Sequence, residues 1–559
     1  MLFKEFVQLL EEVSKTRSRL RIVALLSDFF KKLTPEEARY VAYLLKGEVA
    51  PPYKGIDLNV ADRTLLHVFA KLTGINVKEI EALYKKLGDI GDLAYEMVKK
   101  RKTQPLFTQE YEIKEIYEML LKLATLTGPG SQQYKENLLL SLFLNLSPEE
   151  ARYLARIIVG KTRVYIGVAT ILEAIANASG YSKEEVERAY YLISDIGKVA
   201  EDALKGQLEA KVRLFYPISP ALAERAKNVS DLHAKIPQPA LEYKYDGFRV
   251  QIHKSKEGKV KIYSRRLEDI TQFLPDVVRY AQEIEGEYIM EGESISYDPN
   301  TQKFLPFQFT IRRKRKYDVQ KYEKEFPLHV YIFDVLYKDG EEILYKPFKE
   351  RREVLENLVK GTSFFPSHLT YSDSVEKTQE FFQEAVSKGL EGIIGKKPEQ
   401  PYTPGQRNHN WIKLKKDAVD TIDGLVVGYF YGQGKLKDLP GSLLVALYNE
   451  KEDKFQTIAK VSSGLSEEEY KLLKELLKPA PAPPTNLEYH LEPDVWVVPE
   501  VVVELTYDDI TISSMHTCDI GGQNVALRFP RVLRIRDDKS PEEVTTCSEV
   551  KELYEIAKK

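Results

Sequence analysis

Lys244 lies in a stretch whose residue types could support covalent chemistry, residues 242–249, which read Glu-Tyr-Lys-Tyr-Asp-Gly-Phe-Arg. A lysine amine is normally protonated, with a pKa of about 10.4, and it attacks an electrophile only when burial or nearby positive charge lowers that pKa. Basic residues that fold back from later in the chain could supply such charge. The stretch therefore predicts a nucleophilic lysine, although an Asp-Gly pair between two strand-like runs is also typical of an ordinary hairpin turn.

The same stretch contains the pattern Lys-x-Asp-Gly-x-Arg, and five further elements follow it along the chain. They are residues 263–269, 289–293, 331–336, 391–396 and 407–415. The first pattern resembles the nucleotidyltransferase superfamily of DNA ligases, RNA ligases and mRNA capping enzymes. The six elements together resemble the ATP-dependent DNA ligases of archaeal and eukaryotic replicative type. Each element alone has an ordinary explanation, such as a core position for Phe333, so it is their shared order that favours the resemblance.

The resemblance implies a nucleotide site with a role for each element. Lys244 is the catalytic nucleophile, and Phe333 stacks on the purine. Lys413 and Lys415 share one face of a strand, where they hold the α-phosphate and depress the pKa of Lys244. The residues implied in cofactor binding are Glu242, which reads the adenine, Arg249, Arg265, Glu293, Phe333, Arg407, Lys413 and Lys415. Glu293 and Glu391 are the carboxylates assigned to a divalent metal, Mg²⁺ or Mn²⁺. The implied cofactor is ATP, with ADP and NAD left open.

A basic run near the end of the chain, residues 528–539, resembles the C-terminal motif of the larger DNA ligases. In that family the motif lies on a barrel domain that swings over the nucleotide and orients the pyrophosphate leaving group. The residues assigned to this role are Arg534, Arg536, Asp538 and Lys539. A second basic tract, residues 312–316, also matches the family and is predicted to contact DNA phosphates.

The region before these motifs is predicted to be helical, because apolar residues such as Phe3, Phe6 and Leu10 fall at the spacing of one helix face. It also contains an internal repeat. Residues 34–40, Thr-Pro-Glu-Glu-Ala-Arg-Tyr, recur as residues 147–153, Ser-Pro-Glu-Glu-Ala-Arg-Tyr. Both copies have the capping hydroxyl, early proline and glutamate of a helix start. Residues 1–212 are therefore expected to form an all-α domain with a pseudo-repeat.

Loops of this helical domain offer candidate DNA contacts. Gly130 and Ser131 precede a helix and could bind phosphate through their backbone N–H groups, with Lys135 close by. Arg163 stands at the equivalent turn of the second copy and could contact the DNA backbone. Plain interhelical turns are the alternative. Residues 104–107, from Gln104 to Phe107, resemble the sliding-clamp-binding motif of the family, with the glutamine one residue closer to the hydrophobic pair than usual.

The pattern changes to β-type alternation after about residue 211. Strands predicted at 287–296 and 329–336 alternate with helices at 349–358 and 375–388, which indicates an α/β (α+β) nucleotidyltransferase domain over residues 213–416. Residues 417–559 read as short strands at 422–429, 442–448, 454–460, 495–505 and 526–535, with helices at 466–477 and 550–557. This pattern favours a C-terminal β-barrel of the oligonucleotide-binding (OB) type.

The composition sets broader limits on function. The 82 basic and 85 acidic residues give a net charge of −3, so any nucleic-acid surface must be built locally. Charged residues make up 30% of the chain, which is compatible with a thermophilic source. No apolar run is long enough for a membrane span, and Cys518 and Cys547 fit no metal-ligand spacing. We therefore expect a soluble, cytoplasmic and nucleoid-associated protein with two buried, inert thiols.

The resemblance implies a monomeric DNA ligase that seals nicks in duplex DNA through a lysyl-AMP and a DNA-adenylate. An RNA ligase or a capping guanylyltransferase shares the lysine pocket and is the nearest alternative. A DNA-binding scaffold without catalysis is an alternative of a different class. The linker at 217–223 reads Pro-Ile-Ser-Pro-Ala-Leu-Ala where the family has Lys-Pro-Met before Leu-Ala, which leaves its nucleotide contact unassigned.

Overall fold

The N-terminal part of the computed structural model is helical, as predicted. The structure describes residues 1–58, 60–106, 109–160, 166–314, 318–416 and 421–557, so Phe107, Arg163 and part of the basic tract at 312–316 lie outside the described residues. The helices are α1 (Phe3–Ser14), α2 (Arg19–Lys31), α3 (Pro35–Leu45), α4 (Asp62–Thr73), α5 (Val77–Leu87), α6 (Ile90–Lys99), α7 (Ile113–Thr125), α8 (Ser131–Asn145), α9 (Pro148–Val159), α10 (Val168–Ser179), α11 (Lys183–Ile193) and α12 (Ile196–Leu204). The repeated heptapeptides start α3 and α9 with the predicted capping boxes.

The two repeats interlock. Helix α3 of the first copy packs on α12 of the second, and α9 of the second packs on α6 of the first. Gly197 allows the first contact, because a Cβ atom there would lie 2.3 Å from the ring of Tyr43. The Tyr43 hydroxyl donates to Asp195, which caps α12. Each copy therefore contributes a helix to the core of the other. The predicted pseudo-repeat is seen in the structure as a single unit in which the two copies pack against each other.

The middle domain consists of two sheets with helices between their strands. Its strands are β1 (Leu222–Arg225), β2 (Ala240–Lys244), β3 (Phe248–Lys254), β4 (Val260–Ser264), β5 (Tyr288–Asp298), β6 (Lys303–Phe304), β7 (Leu328–Lys338), β8 (Phe365–Pro366), β9 (Leu369–Tyr371), β10 (Gly392–Lys396) and β11 (Arg407–Lys415). Its helices are α13 (Val229–Lys235), α14 (Pro275–Gln282), α15 (Phe307–Thr310), α16 (Val319–Glu325), α17 (Phe348–Val359) and α18 (Val375–Ser387). One sheet has the order β1-β11-β10-β2-β9, and the other has the order β4-β3-β5-β7-β8 with β6 beside β5. The predicted strands and helices of this domain are confirmed.

The C-terminal part is rich in strands. They are β12 (Thr421–Tyr431), β13 (Pro440–Asn449), β14 (Lys454–Val461), β15 (Pro479–Ala480), β16 (Leu487–Glu488), β17 (Val495–Val497), β18 (Val502–Thr506), β19 (Asp509–Ile512), β20 (Cys518–Asp519), β21 (Asn524–Arg528) and β22 (Arg531–Arg536), with helices α19 (Glu467–Leu476) and α20 (Cys547–Ala557). They form an eight-stranded sheet and a three-stranded sheet of order β19-β21-β20.

Two of the predicted C-terminal strands are wrong as single elements. Residues 495–505 divide into β17 and β18 because Pro499 lacks an N–H group and lies in a turn. Residues 526–535 divide at Phe529, whose φ of 50° bends the chain. There the chain passes from β21 in the three-stranded sheet to β22 in the eight-stranded sheet. The barrel closure of this domain stays a prediction.

The predicted domain boundary at 212/213 falls between α12 and β1, and the one at 416/417 meets residues outside the described part. Within the described residues, no helix has the length and apolar character that a membrane crossing requires.

Candidate active site

Three adjacent strands of the middle domain form the floor of one cavity. Strand β10 pairs with β2 on one side, where Gly392 lies opposite Lys244, and with β11 on the other, where Gly392 lies opposite Lys415. Because side chains alternate along a strand, this register turns alternate residues of all three strands to the same face. The predicted residues that line the cavity are Glu242, Lys244, Arg249, Arg265, Glu293, Phe333, Glu391, Arg407, Lys413 and Lys415. The structure thus brings together every predicted nucleotide-site residue of the middle domain.

The sequence suggested that Lys244 would lie directly beside the positive charges of Lys413 and Lys415. In the structure a carboxylate, that of Glu391, lies between Lys244 and Lys415. Its Nζ forms an ion pair with Oε2 of Glu391, and Nζ of Lys415 lies 3.1 Å from Oε1 of the same carboxylate. Burial opposes ionisation of Glu391, but the two ammonium groups outweigh it and hold the pKa of this carboxyl well below its usual range. Lys415 therefore acts on Lys244 through a shared carboxylate.

Lys413 and Lys539 line the same cavity with lowered pKa values. Burial, followed by the charges of Lys539 and Lys415, lowers the pKa of Lys413 well below its ordinary value. Burial also lowers the pKa of Lys539, to about 8, although its ion pair with Asp423 acts in the opposite direction. An incoming polyphosphate would favour the charged form of both lysines, since an anion in contact stabilises an ammonium group.

The apolar end of the cavity suits a purine base. Phe333 is half-buried, with its ring edge against Trp411 at 5.9 Å between centroids. Lys396 lies beneath these rings, with Nζ 4.1 Å from the Trp411 centroid, and donates to Oε2 of Glu242 at 2.9 Å. The other oxygen of Glu242, Oε1, is buried, accepts no hydrogen bond from a described residue, and lies 3.5 Å from Nη1 of Arg352 in an ion pair. Its hydrogen-bonding capacity is therefore unfilled, and this oxygen can still accept a hydrogen bond from an amino group of a ligand.

Arg249 supports this base platform. Its guanidinium is bidentate to Glu291, at 2.9 and 3.0 Å, and also donates to the carbonyl of Ala221 at 2.8 Å. It lies 5.1 Å from the Phe333 ring centroid. In this arrangement Arg249 fixes the wall of the cavity and its donors are directed to the protein.

Glu293 is the carboxylate of the cavity that lacks a fixed partner, since no hydrogen bond or ion pair joins it to another described residue. Burial raises its pKa to about 7, although Lys244 and Arg249 act to lower it. Such a carboxyl is half-protonated near neutrality and is suited to bind a cation that enters with the nucleotide.

Three family models match successive parts of this chain. "DNA ligase N terminus" matches residues 2–176, "ATP dependent DNA ligase domain" residues 220–415, and "ATP dependent DNA ligase C terminal region" residues 437–539. A DNA ligase of Pyrobaculum islandicum is 43% identical over 580 residues, which cover 100% of this chain and 99% of that protein. The chain belongs to the ATP-dependent DNA ligase family.

A second curated relative agrees with this assignment. A probable DNA ligase of Dictyoglomus thermophilum is 40% identical across 100% of this chain and 98% of its own length. Among solved structures, the mycobacterial DNA ligase D complexed with ATP and MES is 25% identical, covers 58% of this chain and 97% of its own, and superposes with a TM-score of 0.37. The predicted family and enzyme class are confirmed.

The C-terminal domain of the ligase covers the cavity. Arg536, Asp538 and Lys539 line it together with the floor strands, whereas Arg534 contacts Asp246, two residues after Lys244, at 3.2 Å. Arg536 is bidentate to Asp538 at 2.8 Å for both bonds. Burial opposes the charged form of Asp538, but Arg536 holds its pKa below the ordinary value. The basic motif near the C-terminus therefore meets the middle domain in a closed arrangement.

Acidic residues near the C-terminus hold the same closed arrangement from the rim. Glu549 of α20 pairs with Arg407, and Glu543 accepts a hydrogen bond from Nε of Arg265 at 2.8 Å. Two of the predicted cofactor-binding arginines are thus neutralised by the C-terminal domain.

Several residues of the site were not predicted from the sequence. Lys396 was not assigned a role because it ends an apolar run, where a lysine is typical of the solvent-exposed end of a strand. Asp423 and Glu504 face each other across β12 and β18, and they pair with Lys539 and Arg536 of the cavity, respectively. The available signal was an acidic residue inside a run of buried apolar positions, since a buried charge requires a partner.

The described residues among the predicted DNA and clamp contacts lie outside this cavity. Gly130 caps α8 with a φ of 80°, is exposed, and precedes Ser131, the first residue of that helix. Lys135 follows one turn later and is half-buried. Gln104 accepts a hydrogen bond from Arg101 at 3.3 Å, and Leu106 is 95% exposed. Arg163 and Phe107 fall outside the described residues.

Proposed function

We propose that this ligase seals nicks in duplex DNA by three nucleotidyl transfers that begin at Lys244. The observation that carries the proposal is the cavity itself, which joins Lys244, a cationic wall of Lys413, Lys415 and Lys539, and an aromatic base platform. A covalent nucleotidyl transfer needs these groups together: a nucleophile, fixed positive charge for the phosphates, and a site that orients the base.

In the first transfer, the neutral amine of Lys244 attacks the α-phosphorus of ATP. The ammonium group releases one proton to solvent before the attack and a second one after it. A P–N bond forms, the P–O bond to the β-phosphate breaks, and pyrophosphate leaves. The entering phosphates give Lys415 and Lys413 new anionic partners, which weakens the hold of Glu391 on the lysines. Oε1 of Glu242 accepts a hydrogen bond from the 6-amino group of adenine, while Lys396 donates to Oε2 and holds the carboxylate in place.

The two later transfers require the C-terminal domain to move. Arg534, Arg536, Asp538 and Lys539 orient the pyrophosphate in the closed arrangement, which also denies DNA access to Lys244. When the domain opens, AMP passes from Lys244 to the 5′-phosphate of the nick, and the lysine amine is restored. The adjacent 3′-hydroxyl then attacks that phosphate, forms the phosphodiester bond and releases AMP.

Glu293 and Glu391 fit a divalent metal, Mg²⁺ or Mn²⁺. No group of three or more metal-ligating side chains occurs in the described residues, so the protein would offer these two carboxylates alone. Mg²⁺ is commonly bound by one or two carboxylates together with substrate phosphates and water. The metal would neutralise phosphate charge beside Lys244. Its binding would also draw Glu391 away from the lysine amine.

Several finer assignments belong to the same proposal. The strand-rich C-terminal domain is of the OB type, and the helical domain contacts the DNA backbone through Gly130, Ser131, Lys135 and Arg163. Residues 104–107 bind a sliding clamp, which the exposure of Leu106 supports. The ligase acts as a monomer, and labelling with ADP and NAD beside ATP establishes its cofactor range.

The test uses Lys244→Ala with ATP labelled in the α-phosphate. The variant should form no covalent AMP adduct, yet it should still join a nick that is already adenylated, because the last transfer does not use the lysine. Lys256→Ala, at an exposed turn position, is the matched control and should behave as the wild type. A labelled Lys244→Ala protein would refute the assignment. An adduct formed preferentially with GTP would favour the guanylyltransferase alternative.

A further inference from the structure

Cys518 and Cys547 lie in contact inside the C-terminal domain. They are the two cysteines of the chain, they are 0% and 3% exposed, and their Sγ atoms are 3.1 Å apart. A disulfide bond has an S–S length of about 2.05 Å, so the atoms need to approach by only about 1 Å. Cys518 belongs to β20, whereas Cys547 begins α20. The contact therefore joins the three-stranded sheet to the C-terminal helix.

We propose that Cys518 and Cys547 form a disulfide in the mature protein, and that this cross-link stabilises the segment that closes over the nucleotide cavity. The inference does not depend on the proposed roles of the cavity residues. It differs from the sequence-based expectation of two inert thiols, because the structure adds their proximity to their burial.

The bond forms by thiol–disulfide exchange with a small-molecule or protein disulfide. The two cysteine thiols lose two protons and two electrons, one S–S bond forms, and the donor disulfide is reduced to two thiols. The hydrogen bond to Cys547 and burial raise the pKa of the Cys518 thiol well above its ordinary value, so its thiolate is scarce in the folded protein. The exchange therefore takes place as the domain folds, and the finished bond is shielded from reductants.

The position of the cross-link explains what it would stabilise. The two cysteines are 29 residues apart, and the segment between them contains Arg534, Arg536, Asp538 and Lys539. Cys547 also anchors α20, which presents Glu549 to Arg407. Closing a loop of this length restricts the unfolded chain, and the expected gain in melting temperature is about 10 °C. Disulfides inside cells are characteristic of hyperthermophiles, and the charged composition of this chain is compatible with such a source.

The test counts thiols after controlled refolding. The full-length protein is unfolded and reduced, refolded in a glutathione buffer of defined reduced-to-oxidised ratio, unfolded again without reductant and alkylated. Mass spectrometry should show no alkylated cysteine and a Cys518–Cys547 linked peptide, even when reduced glutathione is in excess. Two alkylated cysteines under oxidising conditions would overturn the proposal.

Melting temperatures test the stabilising role. The oxidised protein should melt about 10 °C above the same protein refolded with reductant, and its capacity for self-adenylation should last longer on heating. The double variant Cys518→Ser, Cys547→Ser serves as the control, and reductant should not change its melting temperature. Equal melting temperatures for oxidised and reduced wild type would overturn this part of the proposal.

Discussion

Glu242→Gln tests how the ligase selects its nucleotide. The carboxylate is 2% exposed, and one of its oxygens is held by Lys396 at 2.9 Å. The other oxygen accepts no hydrogen bond from a described residue and lies 3.5 Å from Nη1 of Arg352. The 6-amino group of adenine would supply a hydrogen-bond donor, whereas the 6-oxo group of guanine would place an acceptor against the carboxylate. A glutamine of the same shape can turn its own amide N–H toward guanine, so the variant should lose its preference for ATP.

The magnitude follows from the kind of bond that is lost. A hydrogen bond to a charged group contributes about 1.5–3 kcal/mol, which corresponds to a factor of about 10 to 150 in affinity. The KM for ATP in self-adenylation should rise by this factor, with a smaller change in the rate at saturation. The fold should survive the substitution, because burial already lowers the pKa of Lys396, which can lose its proton when its partner disappears.

The assay is single-turnover formation of enzyme-AMP or enzyme-GMP from nucleotides labelled in the α-phosphate. Glu356→Gln is the matched control, since Glu356 pairs with Arg352 at 2.9 Å on the solvent side, and Arg352 also lies 3.5 Å from Glu242. The control should keep the wild-type preference. An unchanged ATP-to-GTP ratio in Glu242→Gln would refute the assignment of this carboxylate to the base.

Three further outcomes are expected. Glu549→Gln removes the ion-pair partner of Arg407 and should slow self-adenylation about tenfold or more, while the joining of a pre-adenylated nick stays intact. The control is Glu555→Gln, at an exposed position on the same helix. Equal rates of self-adenylation in the two variants would contradict the closing role of α20. Glu293 must be deprotonated to bind a metal, and burial raises its pKa to about 7. The metal concentration for half-maximal self-adenylation should therefore rise about tenfold per pH unit below pH 7 and level off above it. The same pH dependence in Glu293→Gln would show that another group titrates. Gly197→Ala places a Cβ atom 2.3 Å from the Tyr43 ring and should lower the free energy of unfolding by about 1–3 kcal/mol in a denaturant titration. The control is Gly167→Ala, whose Cβ atom meets nothing within 4 Å and should change the free energy of unfolding little. Equal losses of stability in the two variants would contradict the close packing of the two repeats.

Much of the fold could be predicted because its signals are local. The capping boxes at Thr34 and Ser147 are contained within seven residues each, and they define helix starts by hydrogen bonds between near neighbours. The exchange of helices between the repeats was not predictable in this way. It depends on the fit of Gly197 against Tyr43, which are 154 residues apart and carry no pattern that links them.

The candidate site shows the same division. Residue type and order predicted that Glu242, Lys244, Lys413 and Lys415 would meet, and the register of β2, β10 and β11 brings them to one face. The ion pairs among them were not predictable, because the sequence does not determine which carboxylate lies between which ammonium groups. Glu391 was assigned to a metal, whereas in this arrangement it holds Lys244 and Lys415.

The proposed mechanism depends most directly on which lysine becomes adenylated. On pKa alone Lys413 and Lys539 are rivals, since burial lowers the pKa of both. Geometry favours Lys244, which is paired with the cavity carboxylate Glu391 and lies opposite Gly392, a residue without a side chain. The decisive measurement is proteolytic mapping of the wild-type protein after one turnover with ATP labelled in the α-phosphate. The proposed mechanism predicts that all of the AMP is found on Lys244, and AMP on Lys413 or Lys539 would contradict it.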